Sequence, residues 1–481
     1  MTVNEATLKE TVLKNYGDSI VVYVGQGALT LKDGRNLNCE FEAGQLGDGE
    51  VLLLCNIMPP DLSLCFTTIA VISFEGQTAE GYRITCANRI MGINYLPGSP
   101  EDSQSAVFAA FRLDEMTVQM SDRHIQAKSA RFGVTNFQFT GTVAQQSGNS
   151  HYHILPLTLE DENSRIELSI SPLEHYTKIK RRIKTLRGTD VTCEVISDIL
   201  QDGSMERLKE VIDNLCYLLS VARGTKIQWI YCDRYDESGG LVMRTHSSRV
   251  TKPFCSLPVI DPRCDVSQET KTFLEQTYRV YVSKRDSHRL NRGMIDAYLD
   301  AKAENDYLQT RGVKLAVALE MLKGVLLELP DSSAKEFVLD QEDFKKHVQP
   351  ISDAIEKILQ QGGVEKTDRN AIYSEKKVEG LNRRAFRYFI SKLCKQIDLK
   401  VEENEIRLFI ACRDKLVHMG RFYCEVANNE ERKECPPLSS ETDEYFFLVN
   451  FLDRIFLKLL GYSGTYIDWR PPEKPVRSQL A

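Results

Sequence analysis

The apolar pattern of this chain changes period once, and that change constrains the fold more than any single motif. From residue 18 to about 200 the apolar residues come in short runs: SIVVYV, GEVLLLC, TTIAVISF, YRITCA, AVFAAFRL and RIELSIS. They are rich in Val, Ile and Phe and are broken by Gly, Pro, Asn and Asp. β-Branched and aromatic side chains crowd a helix but suit a pleated surface, so these runs predict strands. Several at short spacing predict a sandwich or a partly closed barrel. After about residue 286 the period becomes helical: Leu308, Leu315, Leu319, Leu322 and Leu326 recur at three-, four- and seven-residue intervals. A chain of 481 residues also exceeds the size at which one core keeps growing. The expectation is an α+β multidomain protein: a β-rich sensor or regulatory domain at 1–200, a small α/β connector at 201–285 and an all-helical bundle at 286–481.

Within that frame, residues 204–223 carry Leu208, Ile212, Leu215, Leu219 and Val221 at mostly helical spacing and stop at Gly224. Asp236 to Gly240 predicts a hairpin loop. Gly25 to Thr30 (GQGALT) lacks a third glycine and a following helix, so it predicts a turn and not a phosphate loop. Segment 381–397 places Phe386, Ile390, Leu393 and Ile397 on one helical face. Ser440 and Asp443 resemble a capping box that opens a helix to Leu460. That helix is apolar almost all round, so it belongs in a core or at a dimer interface. The Pro-containing tail from Arg470 is expected to be loose.

Composition excludes several function classes. Net charge is −7, so a polyanion would have to bind at a local basic patch. The thirteen cysteines include no Cys-x2-Cys pair, which predicts reduced thiols and no zinc site. The first seventeen residues lack the apolar core of a signal peptide, and the most apolar stretch contains Asp453, Arg454 and Lys458. No membrane span is expected, and the reading is a cytoplasmic protein.

One constellation carries chemistry. Within Glu405 to Gly420 stands Arg413-Asp414-x3-His418, an Arg-x4-His that no other histidine of the chain repeats. Histidine can move a proton near neutral pH, and arginine offers a permanent forked cation for a phosphorane-like charge. Together they suit RNA cleavage through the 2′-hydroxyl, chemistry that calls for neither metal nor cofactor. Five residues along a helix turn a side chain by ~140°, so the pair cannot stack on one face. Gly420 is placed to end the helix.

KLAVALEMLKGVL (314–326) and RLFIACRDKLVHMGRF (407–422) resemble the HEPN superfamily (higher eukaryotes and prokaryotes nucleotide-binding), and more narrowly its ApeA-like group of bacterial anti-phage systems. FEGQTAEGYRITCANR (74–89) is loosely similar to the N-terminal part of such proteins. The family often has Asn after the arginine and Gly after the histidine, where this chain has Asp414 and Met419. The resemblance implies a homodimeric endoribonuclease in an abortive-infection or toxin-like system. It would cut cellular RNA, tRNA included, and would be restrained by an N-terminal domain until a phage-derived trigger arrives. Arg413 and His418 would be catalytic, and Asp414 would orient one of them. Two alternatives stand beside it: a non-catalytic HEPN scaffold for dimerisation or sensing, and the toxin of a pair with a nucleotidyltransferase.

The remaining candidates each have a plainer reading. Arg383, Arg384, Arg387, Lys392 and Lys395 form an RNA-facing ridge or a solvated helix face. Glu320 supports the site from a neighbouring helix or is a surface residue. Lys178, Lys180, Arg181, Arg182, Lys184 and Arg187 form a solvated strand face or an RNA-contacting edge. His151 and His153 share a strand face, which is too little for a metal. Cys412 reads as a core thiol.

Overall fold

The computed structural model describes residues 19–46, 49–57, 71–86, 90–96, 107–120, 125–147, 150–161, 164–174, 177–179, 181, 183, 189–199, 204–249, 257–261, 267–285, 292–303, 306–328, 335–367, 380–470 and 475–480. It divides into two compact units, one of residues 1–282, 302–305 and 464–467, the other of 283–301, 306–463 and 468–481.

The first unit is built on an antiparallel sheet. Its strands are β1 (Ser19–Leu31), β2 (Asn36–Leu46), β3 (Val51–Ile57), β4 (Val71–Thr78), β5 (Arg83–Cys86), β6 (Ile90–Leu96), β7 (Val107–Leu113), β8 (Glu115–Gln119), β9 (Ser129–Thr135), β10 (Val143–Ser147), β11 (Ser150–Glu160), β12 (Arg165–Pro172), β13 (Val191–Asp198), β14 (Trp229–Tyr235) and β15 (Leu241–Ser247). Among the described residues they hydrogen-bond in the order β10-β11-β12-β13-β9-β14-β15-β8-β5-β4-β1-β2-β3-β7-β6. Alternation sets the faces: β12 buries every second residue, with Ile166, Leu168 and Ile170 inward. Strand β3, VLLLCNI, is buried on both faces, as its unbroken apolar run requires. Leu29, Phe41, Leu53, Phe74, Phe111 and Met116 meet in the core of the first eight strands.

The segment from 201 to 285 supplies the helix α1 (Met205–Arg223), strands β14 and β15, and the helix α2 (Ser267–Lys284). Its strands lie in the middle of the sheet, between β9 and β8. Ser204 caps α1, and Gly224 ends it in the left-handed conformation at φ 62°. Asp213 of α1 accepts from the Trp229 indole at 2.6 Å and pairs with Arg249 at 2.6 Å, tying the helix to β14.

Two expectations in this unit are corrected. Gly25 to Thr30 is the middle of β1, not a turn. Its glycines serve close approach, since a Cβ on Gly25 would stand 2.0 Å from the Gln77 carbonyl oxygen of β4. Where the basic run 178–187 was expected on a strand, Lys178 and Arg181 lie on helical turns that bury Ile179 and Ile183. Lys180, Arg182, Lys184 and Arg187 lie outside the described residues.

The second unit is helical: α3 (Arg292–Ala301), α4 (Leu308–Glu328), α5 (Gln341–Gln361), α6 (Phe386–Gln396), α7 (Glu403–Met419), α8 (Tyr423–Val426), α9 (Asn429–Glu434) and α10 (Glu441–Leu459). The chain as described is thus α+β, a large antiparallel sheet followed by a helical region. Helix α10 is buried along nearly its whole length. Phe451 of α10 stacks on Phe409 of α7 with ring centroids 4.0 Å apart, and Phe456 lies 4.4 Å from Tyr298 of α3. Its charged residues are matched: Tyr298 donates its hydroxyl to Asp453, and Arg454 pairs with Glu405 at 2.5 Å. Among the described residues, no helix is long and apolar enough to cross a membrane.

Here too the structure departs from the sequence reading. The helix expected over 381–397 begins only at Phe386, because residues 380–382 make a separate turn. Its buried face is Phe389, Ile390, Leu393 and Cys394, with Phe386 and Ile397 at the margin. Residues 476–479 form a short strand, β16 (Val476–Gln479), and are not a loose tail; the Gln479 side-chain amide donates to the Ser463 carbonyl at 2.6 Å.

A buried polar chain links distant strands of the first unit. The Gln45 amide nitrogen of β2 donates to the carbonyls of Ile230 at 2.7 Å, Ser247 at 3.2 Å and Gly49 at 3.3 Å. That fixes the amide orientation, so its oxygen faces His246 Nδ1 at 2.8 Å as an acceptor. His246 Nδ1 therefore carries the proton, and Nε2 accepts from the Tyr23 hydroxyl at 3.0 Å. Burial, with the Arg244 guanidinium nearby, pushes His246 down to about 3. The unfolded chain takes up this proton near the ordinary value of 6.5, whereas the folded chain holds the ring neutral. Stability is therefore present above that value and is lost as pH falls towards 3. By pH 5 the loss from His246 alone should be about 2 kcal/mol. Urea unfolding of the first unit should show this drop between pH 7 and 5, and His246→Gln should flatten it. An unchanged slope in the variant would assign the drop to another group.

Candidate functional site

Helix α7 sorts its residues into two faces. Ile406, Phe409, Cys412 and Leu416 are buried, at three- and four-residue spacing, against the rest of the unit. On the opposite side Arg407, Ala411, Asp414 and His418 stand at i, i+4, i+7 and i+11 and line a cleft of about 480 Å³. Lys415, Tyr423, Glu431 and Cys435 continue its wall, and Arg387 reaches it from α6. The helix runs unbroken through His418 and ends at Gly420, whose φ of 65° is left-handed and whose N–H donates to the Leu416 carbonyl. His418, in the last turn, is exposed and makes no hydrogen bond or ion pair among the described residues. A cation there complements the C-terminal end of the helix dipole.

Arg413 lies ~140° round the helix from His418 and faces elsewhere. Its side chain is only 12% exposed and pairs with Glu320 of α4. Nη1 also donates to Asp414 Oδ1 at 2.6 Å, and the guanidinium lies 4.6 Å from the Phe386 ring centre. Its Nε is buried without a partner among the described residues. Two carboxylates thus neutralise the arginine. Glu320, Asp414 and Arg413 form one cluster, while the cleft on the other side of Asp414 holds His418.

Of the five basic candidates from 383 to 395, only Arg387 lines the cleft. Arg383 sits in an isolated β-bridge with Phe337, and the Arg384 amide donates to the Glu336 carbonyl before the helix begins. The Arg384 and Lys392 cations lie over the Tyr388 ring at 4.4 and 5.9 Å. Lys395 is exposed. No single ridge joins them. Sequence reasoning missed Arg407 and Lys415, although the spacing of Arg407 from His418, eleven residues on one helix, carries the signal.

The cleft is of mixed sign. Lys415 pairs with Glu431 at 2.7 Å, and Arg387 and Arg407 both reach Glu403. Cys412 is not part of it: burial first, and Glu444 next, raise its thiol well above the ordinary range, as expected of a core thiol. Among the described residues no cluster of His, Cys, Asp and Glu could hold a metal ion. His153 is exposed on β11, and the side chain of His151 lies outside what is described.

The part of the wall that Tyr423 forms is held by a buried carboxylate. Glu444 of α10 is fully buried and accepts from the Tyr423 and Cys424 amides at 2.7 and 2.8 Å, which holds the start of α8. The chain matches no family model, no curated protein and no solved structure.

Removing the Glu444 acceptor leaves two inner N–H groups unmet, which costs about 3 kcal/mol. Glu444→Ala should lower the stability of the helical unit by that amount in urea unfolding. Glu444→Gln, which keeps one acceptor oxygen, should lose less. Equal stability of Glu444→Ala and wild type would mean that α8 is held by other contacts.

Proposed function

We propose that the helical unit is a HEPN-type endoribonuclease of the ApeA-like kind, acting on cellular RNA, tRNA included, as a homodimer. The observation that carries this reading is His418, an exposed imidazole without a partner among the described residues, in a cleft with Arg387, Arg407 and Lys415. An RNA phosphate next to those cations would place its 2′-hydroxyl within reach of the imidazole. His418 would take the hydroxyl proton, the 2′-oxygen would bond to phosphorus, and the 5′-oxygen would leave with a proton. The products are a 2′,3′-cyclic phosphate and a 5′-hydroxyl. Arg413 would have to leave Glu320 to meet the phosphate, or act across a two-fold axis on the His418 of a second copy. In this reading the β-rich unit restrains cutting in an anti-phage or toxin-like system and releases it on a trigger.

A second reading has its own support. Arg413, held by Glu320 and Asp414 over Phe386, looks like a structural latch between α4, α6 and α7. A non-catalytic scaffold would need nothing more of it.

Cleavage of an end-labelled tRNA pool in EDTA by the full-length protein separates the two. The nuclease reading expects cyclic phosphate ends and a loss of roughly 10²–10⁴-fold with His418→Ala. It also expects Glu320→Gln, which frees Arg413, to leave cutting intact or to raise it. No cutting of tRNA, total RNA or phage-infected-cell RNA by the wild type would favour the scaffold.

A further inference from the structure

The cations of the cleft stand at its two ends and not along its length. Arg407 and His418 lie on one stripe of α7, and their spacing in the helix sets them ~16 Å apart. Side chains on a helix lean towards its N-terminus, so both heads shift the same way and keep that separation. Between them the floor is Ile410 and Ala411, half-buried and apolar. Asp414, further along the stripe, accepts from Arg413 at 2.6 Å. The two ends differ in charge. At the far end Arg387 of α6 and Arg407 of α7 both reach one carboxylate, Glu403, and all three side chains are about half exposed. Two guanidiniums on one carboxylate leave a positive charge in excess. At the near end Lys415 stands one turn before His418 and is matched one to one by Glu431 at 2.7 Å. The far end is thus the better seat for an anion, yet it lies too far off for His418 to act on the phosphate held there.

We infer that the cleft takes a single RNA strand by two phosphates. One is anchored by Arg387 and Arg407; the other, two or three nucleotides along, lies beside Lys415 and His418, where the strand is cut. The inference rests on the nuclease reading for its reacting end. Phosphates repeat every ~3.4 Å along each strand of a duplex and at up to roughly twice that when a strand is extended, so ~16 Å covers two or three steps. The intervening bases lie on the Ile410 and Ala411 floor, which only unpaired bases can reach. On binding, the anchored phosphate replaces Glu403 between the two guanidiniums, whose forked donors suit its oxygens. Arg387 and Arg407 then fix where along the strand the cut falls, and the substrate must be unpaired on at least one side of it.

Full-length His418→Ala protein, which leaves RNA uncut in that reading, lets binding be read alone. Fluorescent single strands of mixed sequence, from a dinucleotide to a hexanucleotide, should bind with affinity rising about tenfold as the second phosphate site is reached. The same hexanucleotide closed into a hairpin stem should lose that gain. Adding Arg387→Ala and Arg407→Ala should remove most of it. The log–log salt slope of hexanucleotide binding should then become shallower by about 0.7, the loss of one phosphate contact. Glu403→Gln keeps both arginines and removes their carboxylate, so it should tighten hexanucleotide binding several-fold, an effect that misfolding cannot produce. Wild-type protein given end-labelled hexanucleotide should make no cut in the last two linkages at one end. Binding of this kind without cutting by the wild type would end the nuclease reading and keep the anchor. Cutting up to both ends, or binding indifferent to length, pairing or the two arginines, would overturn the inference and leave the nuclease standing. So would a Glu403→Gln protein that binds no tighter. No binding of any strand overturns the inference whatever the cutting shows.

Discussion

The helical unit depends on how one buried helix is gripped. Helix α10 lies inside the bundle, and the stacking of Phe451 on Phe409 fixes the rotation of α7 about its own axis. Once Phe409 points inward, the 3.6-residue period leaves no choice about the others. Ile406, Cys412 and Leu416 follow it into the core, and Arg407, Asp414 and His418 must face out. The same helix supplies Glu444 to the start of α8 and Arg454 to Glu405 near the start of α7. The cleft is thus a by-product of core packing at both ends of α7.

That grip also explains why Arg413 and His418 do different things. Arg413 sits at the border of the buried face, where a bare guanidinium would be costly, and Glu320 and Asp414 compensate it. His418 sits beyond the last buried position and meets water. A phosphate entering the cleft finds Arg407, Arg387 and Lys415, each already near a carboxylate, so binding has to exchange one anion for another. In the nuclease reading proposed above, such a site would attract RNA weakly by bulk charge and would discriminate by geometry.

How much was legible in advance follows from which forces are local. The ends of α1 and α7 were readable because Gly224 and Gly420 occupy left-handed positions that other residues resist. The strands of β3, β7 and β12 were readable from their side-chain period. GQGALT was not, because the reason for Gly25 and Gly27 lies on β4, some fifty residues away. The start of α6 was missed for a similar reason: residues 383 and 384 are taken by backbone bonds to 336 and 337, which no periodicity reveals. At the site, the Arg-x4-His pattern located the helix end. The partner of Arg413 was only one of two readings of Glu320, since pairing across helices leaves no trace in spacing.

The buried polar groups of the two units illustrate one rule with different outcomes. In the sheet, Gln45 exhausts its donors on three carbonyls, so His246 has only an acceptor on one side and a hydroxyl on the other, and it stays neutral. In the bundle, Glu444 is surrounded by donors and serves as an acceptor at the centre of a turn. Neither group touches the cleft directly. What reaches the cleft is their rigidity: Tyr423, whose amide Glu444 holds, is itself part of the wall beside His418. Any trigger that loosened α8 would therefore reshape that wall without altering α7, whose orientation is set separately by Phe409 and Phe451.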